Sequence, residues 1–378
     1  MTIEIRQQVP GANLKDFLGV VETIYDGDPN FVRPLDMDMN DRLSRKKNPF
    51  FEHGDAAFFT AHQNGRCVGR ISASIDQLHL EKFKDGAGFF GFFDTTDDQQ
   101  VANALLTAAG GWLKERGSTS MRGPLSLNIN EELGCLVEGF DTPPMPYMPH
   151  HRPYQARLIE GAGLVKQKDF YAWRYVPGQL AERVSKAHAE IVAMPNVSVR
   201  QLDLKHIEND IRIVMAIHQD AWADNWGAVP FTEPELKKMA ADFRLILQPE
   251  LTVLVHIDGR PAAFALALPN YNECIGDLHG KLLPFGLFKL LYRLKVRGPR
   301  SARLALLGIE KEFRNQRKYA ALSAFLYAQM HIAGKKLGVE WGELSWTVED
   351  NGPVNAGIRR MGGKIYKRYR VFERALNA

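Results

Sequence analysis

The clearest hydrophobic pattern along the chain is a pair of β-hairpins, one in each half. The apolar strands are 57–62 and 67–73 in the first hairpin, and 251–256 and 261–268 in the second. Asn64-Gly65 separates the first two strands and Asp258-Gly259 separates the second two. Both dipeptides favour a two-residue type I′ turn, because both central positions of that turn need a positive φ. The pattern therefore predicts two similar hairpins.

Each half also contains a long amphipathic helix after its hairpin. Apolar residues recur on one face of 97–116 and of 319–337, and a glycine follows each segment. Farther on, a second helix ends near Gly163 in the first half and near Gly362 in the second, and a strand-like segment follows each one. The number of residues that separates the two hairpins is nearly the same as the number that separates the two helix ends. This order predicts one mixed α/β unit used twice, with domains at 1–178 and 196–378.

Composition places the chain among ordinary globular proteins. Its 378 residues are 45% hydrophobic and 24% charged, which argues against a disordered or coiled-coil protein. The net charge is only +4, so nucleic acid is not an expected partner. The three cysteines lie far apart, and the N-terminus has no apolar signal core. These features predict a cytoplasmic protein without a metal site.

The second half carries a motif between a strand and its long helix. The strand 304–309 runs into Arg314-Asn315-Gln316-Arg317-Lys318-Tyr319, and the strand 342–347 is followed by Asp350-Asn351. This order resembles the acyl-CoA N-acyltransferase (GNAT) superfamily. In that superfamily a Q/R-x-x-G-x-G/A loop starts the helix, and backbone N–H groups there hold the CoA pyrophosphate.

The resemblance implies acyl-CoA as the donor and a donor site in the second half. The residues that it assigns to this site are Ile309, Arg314, Arg317, Lys318 and Asn351. Arg317 and Tyr319 replace the glycines of the loop, and Ile358 stands where the family places a tyrosine acid. The additional arginine is expected to compensate by binding phosphate directly.

The first half resembles the same fold but lacks such a loop. Its distinctive segments are 123–140, with Asn128, Asn130 and Gly134, and the shorter 48–51. Together they resemble a bacterial tandem GNAT-like family, some of whose members are similar to bacterial ceramide synthases. The resemblance implies two tandem GNAT-like domains that transfer an acyl chain from acyl-CoA to the amine of a lipid-like acceptor, such as a sphingoid long-chain base.

N-acyl transfer needs a base, donors for the thioester oxyanion and a proton source for the leaving thiolate. The chain offers seven candidate catalytic residues, which are Glu131, Glu132, His150 and Tyr154 in the first half and Asp277, His279 and Glu310 in the second. Solvated loops and helix ends are the alternative interpretation of these residues. Trp222 and Trp226, four residues apart, are expected in a core or a pocket wall.

Two other functions fit the same residues. The lost glycines and Ile358 are compatible with a non-catalytic protein that binds acyl-CoA or lipid on a decayed GNAT scaffold. A FemABX-like aminoacyl transferase also uses tandem GNAT-like units, although its tRNA substrate suits a more basic chain.

The segment 281–300 contains six basic residues and no acidic residue. Leu287, Leu290, Leu291 and Leu294 are spaced to share one face of a helix, and aromatic residues lie between them. This composition predicts an interfacial helix at an anionic membrane surface, with the inner face of the cytoplasmic membrane as the expected location. An ordinary helix packed on the second sheet is the alternative.

Overall fold

A computed structural model describes residues 2–376, which form two compact units. The first unit consists of residues 2–171, Ile275–Leu287 and 367–376. The second consists of Ala172–Cys274 and Phe288–Tyr366. Each unit is therefore assembled from segments that are not contiguous in the chain.

Strands and helices alternate through the first half of the chain. In order they are β1 (Ile3–Gln8), α1 (Lys15–Ile24), α2 (Asp36–Arg42), β2 (Gly54–Gln63), β3 (Arg66–Asp76), α3 (Gln77–Phe83), β4 (Ala87–Thr95), α4 (Gln99–Lys114), β5 (Ser120–Gly123), β6 (Cys135–Glu138), α5 (Gln155–Gly161) and β7 (Val165–Tyr175).

The second half, up to residue 376, repeats much of this succession, with three additional helices and no counterpart of β6. In order its elements are α6 (Glu182–Val192), β8 (Val197–Arg200), α7 (Ile207–Trp222), α8 (Glu233–Ile246), β9 (Thr252–Ile257), β10 (Arg260–Pro269), α9 (Asn272–Ile275), α10 (Gly286–Tyr292), β11 (Ser301–Ile309), α11 (Lys311–Arg314), α12 (Leu322–Lys336), β12 (Trp341–Val348), α13 (Gly352–Arg360) and β13 (Lys364–Ala375). A single π-helical turn follows α10 at Arg293–Arg297.

The sheet of the first unit has the strand order β1-β2-β3-β4-β5-β13, and β6 also pairs with β13. β2 and β3 form the predicted hairpin, and Asn64 and Gly65 at its turn have φ of 51° and 77°. These positive values are those that a type I′ turn requires. α4 covers this sheet and buries Leu105 and Trp112 against it.

The sheet of the second unit has the order β12-β11-β10-β9-β8. Its hairpin, β9–β10, turns at Asp258 and Gly259 with φ of 51° and 76°. α12 packs on one face with Phe325 and Leu326, while α7 and α8 bury Phe264 from the other. Both units are the mixed α/β fold that the sequence predicts.

The central strand of each unit is irregular at the same place. The register of β4 against β3 shifts between Arg70 and Ser72, and that of β11 against β10 shifts between Leu266 and Ala267. A β-bulge bends its strand and increases the local twist. In each unit the bulged strand is the one that pairs in parallel with the next strand, so the bulge lies where those two strands begin to separate.

Candidate active site

The second unit contains an open separation between two parallel strands. β11 pairs with β12 only from Ser301–Trp341 to Leu304–Leu344, although both strands continue beyond that point. Four consecutive residues of β11, 304–307, are partly exposed, which is unusual for a central strand. The separated strands therefore form a cleft, lined on one side by the edge of β11 that faces β12.

Aromatic side chains cross this cleft from α7. The indole N–H of Trp222 donates a hydrogen bond to the main-chain oxygen of Leu307 (3.1 Å), and its ring meets Trp346 of β12 edge-on at 5.4 Å. His218, one turn earlier, stacks on Trp222 at 4.7 Å. Burial lowers the pKa of His218 to about 4, so its imidazole is neutral at pH 7. Trp222 is thus a wall of the cleft, in keeping with its predicted place in a core or pocket wall.

The basic loop of the motif lies directly after β11. Arg314, the last residue of α11, and Arg317 and Lys318, which precede α12, are all exposed there. Tyr319 is buried in the hydrophobic core, and its hydroxyl contacts the side-chain amide of Asn196 (3.0 Å). The tyrosine that replaces a family glycine therefore points inward and leaves the outer side of the loop to the basic residues.

Glu310 lies at the junction of β11 and this loop. Burial and the nearby carboxylate of Asp220 raise the pKa of Glu310 above its usual value. Asp220 itself accepts a hydrogen bond from the backbone N–H of Lys311 (2.6 Å). Ile309, the preceding residue, packs its side chain into the core, so its contribution to a bound ligand is limited to its main chain.

Two asparagines occupy the first turns of α13. Asn351 caps the helix by accepting a hydrogen bond from the backbone N–H of Val354 (3.4 Å). Asn355 is buried and donates to the main-chain oxygen of Val348 (3.0 Å), but its own Oδ1 atom has no hydrogen-bond partner within residues 2–376. A buried acceptor without a partner is energetically costly. Ile358 is buried in the core.

A buried polar network, not anticipated from the sequence, lies beside the cleft. Glu343 on β12 is fully buried and accepts hydrogen bonds from Ser345 and from the hydroxyl of Tyr366. The guanidinium of Arg303 lies 3.7 Å from Glu343 and donates to Ser345 Oγ (2.8 Å). The alternation of apolar and polar residues along β11 and β12 was the only sequence signal for this network, and it resembles that of many half-buried strands.

The corresponding place in the first unit is filled by the chain itself. β4 pairs with β5 only from Ala87–Ser120 to Phe89–Arg122, but the following loop, 124–134, occupies the gap. The backbone N–H of Leu125 donates to the main-chain oxygen of Phe90 (2.7 Å). A side chain at Gly91 would overlap the main-chain oxygen of Leu125, so glycine is needed for this close approach. All nine residues of β4 are buried.

Glu131 and Glu132 belong to the loop that fills this gap. Both form ion pairs with Arg42, at 2.6 Å and 2.9 Å. The guanidinium of Arg42 also lies 5.1 Å from the ring centre of Phe92. Both carboxylates are partly exposed and both have a cationic partner, which is an arrangement that fixes the loop.

His150 and Tyr154 lie around a buried network in the first unit. His150 hydrogen-bonds to Asp28 (3.0 Å), and burial lowers its pKa. The Tyr154 hydroxyl donates to the main-chain oxygen of Thr95 (2.9 Å), and burial raises its pKa to about 12. At the centre of the network Asp94, which sequence reasoning missed, accepts hydrogen bonds from Tyr25 and from Arg70 (2.8 Å).

Asp277 and His279 belong to the first unit, although they follow β10 in the chain. Both are exposed, and His279 has a positive φ of 47°. The next residue, Gly280, accepts a hydrogen bond at its main-chain oxygen from the backbone N–H of Asp36 (2.9 Å). The two residues thus lie on a tight turn anchored to α2.

The segment 281–300 exposes an unusual number of large apolar side chains. Leu283, Phe285, Phe288 and Val296 are each 70–82% exposed, and Tyr292 is 62% exposed. The predicted leucine face is divided, since Leu294 is buried while Leu287 and Leu291 are exposed. The π-helical turn after α10 interrupts the regular spacing on which that face was based. Between residues 2 and 376, no helix has the length and apolar character needed to cross a membrane.

Both the sequence and the fold of the chain are similar to those of known proteins. The chain is 39% identical over 366 residues to the bacterial ceramide synthase of Caulobacter vibrioides, which covers 97% of this chain and 95% of that protein. It is 38% identical over 364 residues to protein YghO of Escherichia coli, covering 96% and 93% of the two chains. The chain belongs to the bacterial ceramide synthase family. No family model matches the sequence.

Solved structures identify the fold of this family as the tandem GNAT fold. A tandem GNAT protein from the clavulanic acid biosynthesis pathway superimposes with a TM-score of 0.59 at 12% identity, covering 100% of this chain and 99% of that one. A GCN5-related N-acetyltransferase from Sphaerobacter thermophilus gives 0.54 at 12% identity, with coverage of 99% and 96%. The prediction of tandem GNAT-like domains is confirmed. Together with membership of the bacterial ceramide synthase family, this fold identifies the chain as an N-acyltransferase.

Proposed function

We propose that the chain transfers an acyl group from acyl-CoA to the amine of a lipid-like acceptor, such as a sphingoid long-chain base. The observation that carries the proposal is the 39% identity, over nearly the whole chain, to a protein named for ceramide synthesis. The open cleft of the second unit supports the proposal as the proposed site of the donor.

The donor is proposed to bind along β11. The pyrophosphate of CoA would lie at the loop after the strand, where Arg314, Arg317 and Lys318 are exposed and able to bind phosphate oxygens. The pantetheine arm carries amide groups that can hydrogen-bond to the exposed edge of β11, as an added strand does.

The reaction then needs one C–N bond to form and one C–S bond to break. The acceptor ammonium loses a proton to a base, and the free amine nitrogen attacks the thioester carbon. The tetrahedral intermediate collapses with loss of the CoA thiolate, which takes up a proton and leaves as free CoA. No covalent acyl-enzyme is required, so the base and the position of the two substrates are the chain's main contributions.

Glu310 is proposed as the base. It lies at the end of the open strand, and its raised pKa suits proton abstraction near neutral pH better than that of an ordinary carboxylate. Glu131, Glu132, His150, Tyr154, Asp277 and His279 are the competing candidates. The first four already have partners within the first unit, and the last two lie on an exposed turn.

The acceptor and the acyl chain are proposed to reach the protein at an anionic membrane surface through the segment 281–300. Its exposed apolar side chains occur together with six basic residues and no acidic residue. Apolar groups that enter the headgroup region and cations that attract anionic lipids are the two contributions that hold an interfacial helix.

The proposal is tested by measuring free CoA with a thiol reagent. The purified protein is incubated with a long-chain acyl-CoA, with and without a sphingoid base. CoA release that depends on both substrates supports the proposal. Release that is independent of the amine indicates a hydrolase, and no release with any amine supports a binding protein. Product formed only from aminoacyl-tRNA would favour a FemABX-like transferase.

A further inference from the structure

A pocket lies under α12 in the second unit, on the side of the sheet that this helix covers. Its walls are almost entirely apolar and come from α12, from the first residues of β11 and β12, and from neighbouring segments; they include Leu304, Tyr327, Met330, Gly334, Val339 and Leu344. The pocket has a volume of about 70 Å³. For comparison, a closed apolar cavity of about 150 Å³ binds benzene. The pocket therefore suits the end of a hydrocarbon chain rather than a whole lipid.

Three of the polar side chains in the wall have hydrogen-bond partners, either within the wall or just outside it. The hydroxyl of Tyr175 and Nδ1 of His331 form a hydrogen bond of 2.6 Å. The carboxylate of Glu343 accepts hydrogen bonds from Ser345 and from Tyr366. A ligand in this pocket consequently meets carbon surface, and a polar ligand would find little to replace its water.

The pocket lies next to the point where the cleft begins. Leu304 and Leu344, which line it, form the last residue pair of β11 and β12 before the strands separate. The pocket therefore begins where the cleft begins. A substrate whose reacting group lies between the separated strands has a hydrocarbon site directly next to it.

We propose that this pocket binds the hydrocarbon chain of a substrate and selects its length. The inference rests on the proposed N-acyl transfer, because it assigns a place to one of that reaction's two chains. The acyl chain of the donor and the tail of the long-chain base share the chemistry that the pocket recognises. Each additional buried methylene contributes about a fourfold gain in affinity, so chain length is expected to control kcat/KM.

Gly334 allows the pocket to be filled from the side of α12. A Cβ atom placed there would lie 3.6 Å from Cβ of Val339, which is an ordinary contact. Gly334→Leu is expected to extend into the pocket, and leucine is a better helix former than glycine. Gly111→Leu is the matched control, since it makes the same exchange at an exposed position of α4, outside the pocket, where an added Cβ meets nothing within 4 Å. Gly342→Val fills the pocket from β12, where the added Cβ would lie 3.5 Å from the main-chain oxygen of Ala302.

The experiment measures kcat/KM in two series. One series varies the acyl chain of the donor with a fixed base, and the other varies the tail of the base with a fixed donor. Gly334→Leu should lower kcat/KM by 10-fold or more for the longest chains of one series while short chains keep the parent value. The series that changes identifies which chain occupies the pocket. Gly111→Leu should follow the parent in both series.

A binding measurement separates this inference from the proposed function. cis-Parinaric acid, a fluorescent fatty acid, should bind the parent more tightly than Gly334→Leu by 10-fold or more. That difference without any CoA release would retain the pocket and reject the proposed reaction. Equal probe affinity, together with unchanged chain-length profiles in Gly334→Leu and Gly342→Val, would overturn the inference.

If neither Gly334→Leu nor Gly342→Val folds, photolabelling of the parent protein tests the inference. A fatty acid with a terminal diazirine is photolysed in its presence, and the labelled peptides are mapped. Labels on lining residues, such as those within 302–304 or 327–344, support the inference, whereas labels confined to residues that do not line the pocket reject it.

Discussion

Leu304 of β11 and Leu344 of β12 form the last pair of residues before the two parallel strands of the second unit separate. On one side of this pair the strands are joined as in any parallel sheet. On the other, residues of β11 are partly exposed and Trp222 reaches the main-chain oxygen of Leu307. The first unit has the same early end to its pairing, but the loop 124–134 fills the gap, so the open cleft is a feature of the second unit.

Loss of the basic loop should weaken donor binding. The variant Arg314→Ala/Arg317→Ala removes two exposed cations from the proposed pyrophosphate site, and its affinity for CoA should fall by about 10- to 100-fold. Isothermal titration at several salt concentrations should also show a weaker salt dependence than that of the parent. Lys335→Ala/Lys336→Ala, two exposed cations at the opposite end of α12, is the matched control and should leave the affinity unchanged. Unaltered affinity in the arginine variant would place the donor elsewhere.

Glu310→Gln should lower kcat by about 100- to 10,000-fold while leaving the affinity for CoA intact. A base acts in its deprotonated form, so the parent's kcat should fall as the pH drops through the raised pKa of Glu310, and the variant should lack this fall. A raised carboxyl pKa means that the folded chain holds the proton more tightly than the unfolded chain. Deprotonation therefore reduces stability as the pH rises, and glutamine should not lower the melting temperature at pH 7.

Glu312→Gln is the matched control for this measurement. Glu312 is exposed in the same segment and pairs with Arg260 at 2.7 Å. Its replacement should leave both kcat and its pH dependence as in the parent. Parent-like turnover in Glu310→Gln would exclude Glu310 as the base.

Single substitutions of the first-unit carboxylates should affect stability rather than chemistry. Glu131→Gln and Glu132→Gln each remove one of the two partners of Arg42, and each partly exposed pair is worth about 1 kcal/mol or less. Turnover in each variant should stay within about threefold of the parent. A fall of 100-fold or more in either variant, or in His150→Ala, with CoA binding preserved, would move the base to the first unit.

Binding to liposomes should depend on the exposed apolar residues near α10. The parent should float with vesicles that contain anionic lipid, and high salt should reduce the floated fraction. Phe288→Ser/Leu291→Ser should lower that fraction several-fold without altering the circular dichroism spectrum. Leu245→Ser, which changes a side chain 68% exposed elsewhere in the second unit, is the matched control. If the parent does not bind anionic vesicles at any salt concentration, the membrane role is rejected.

The fold could be predicted well from short stretches of sequence, because its hairpin turns and amphipathic helices are each determined by residues that are close together in the chain. Asn64-Gly65 and Asp258-Gly259 determine their turns through backbone conformation alone, and the structure has both hairpins. The long helices are also where the apolar spacing predicts them, at Gln99–Lys114 and Leu322–Lys336. The motif residues Arg314 and Arg317 lie together because they are neighbours in sequence.

The candidate site was less accessible to sequence reasoning because its parts are distant in the chain. Trp222 and Trp346 meet only after α7 packs on the sheet, and no local spacing indicates that contact. Asp94 and Glu343 are single carboxylates within strands, and each has a partner that comes from another element, Arg70 for Asp94 and Tyr366 for Glu343. The face predicted around Leu294 failed for a different reason, since the π-helical turn changes the spacing that a regular helix would have.

The most direct test of the account is the stoichiometry of the reaction. The purified protein is given a long-chain acyl-CoA and a sphingoid base, and free CoA and the N-acylated base are quantified together by mass spectrometry. The account predicts one N-acyl product for each CoA released, and a rate at limiting donor that falls by about 10- to 100-fold in Arg314→Ala/Arg317→Ala. Release of CoA without the amide, or no release from any acyl-CoA in the presence of the base, would contradict it.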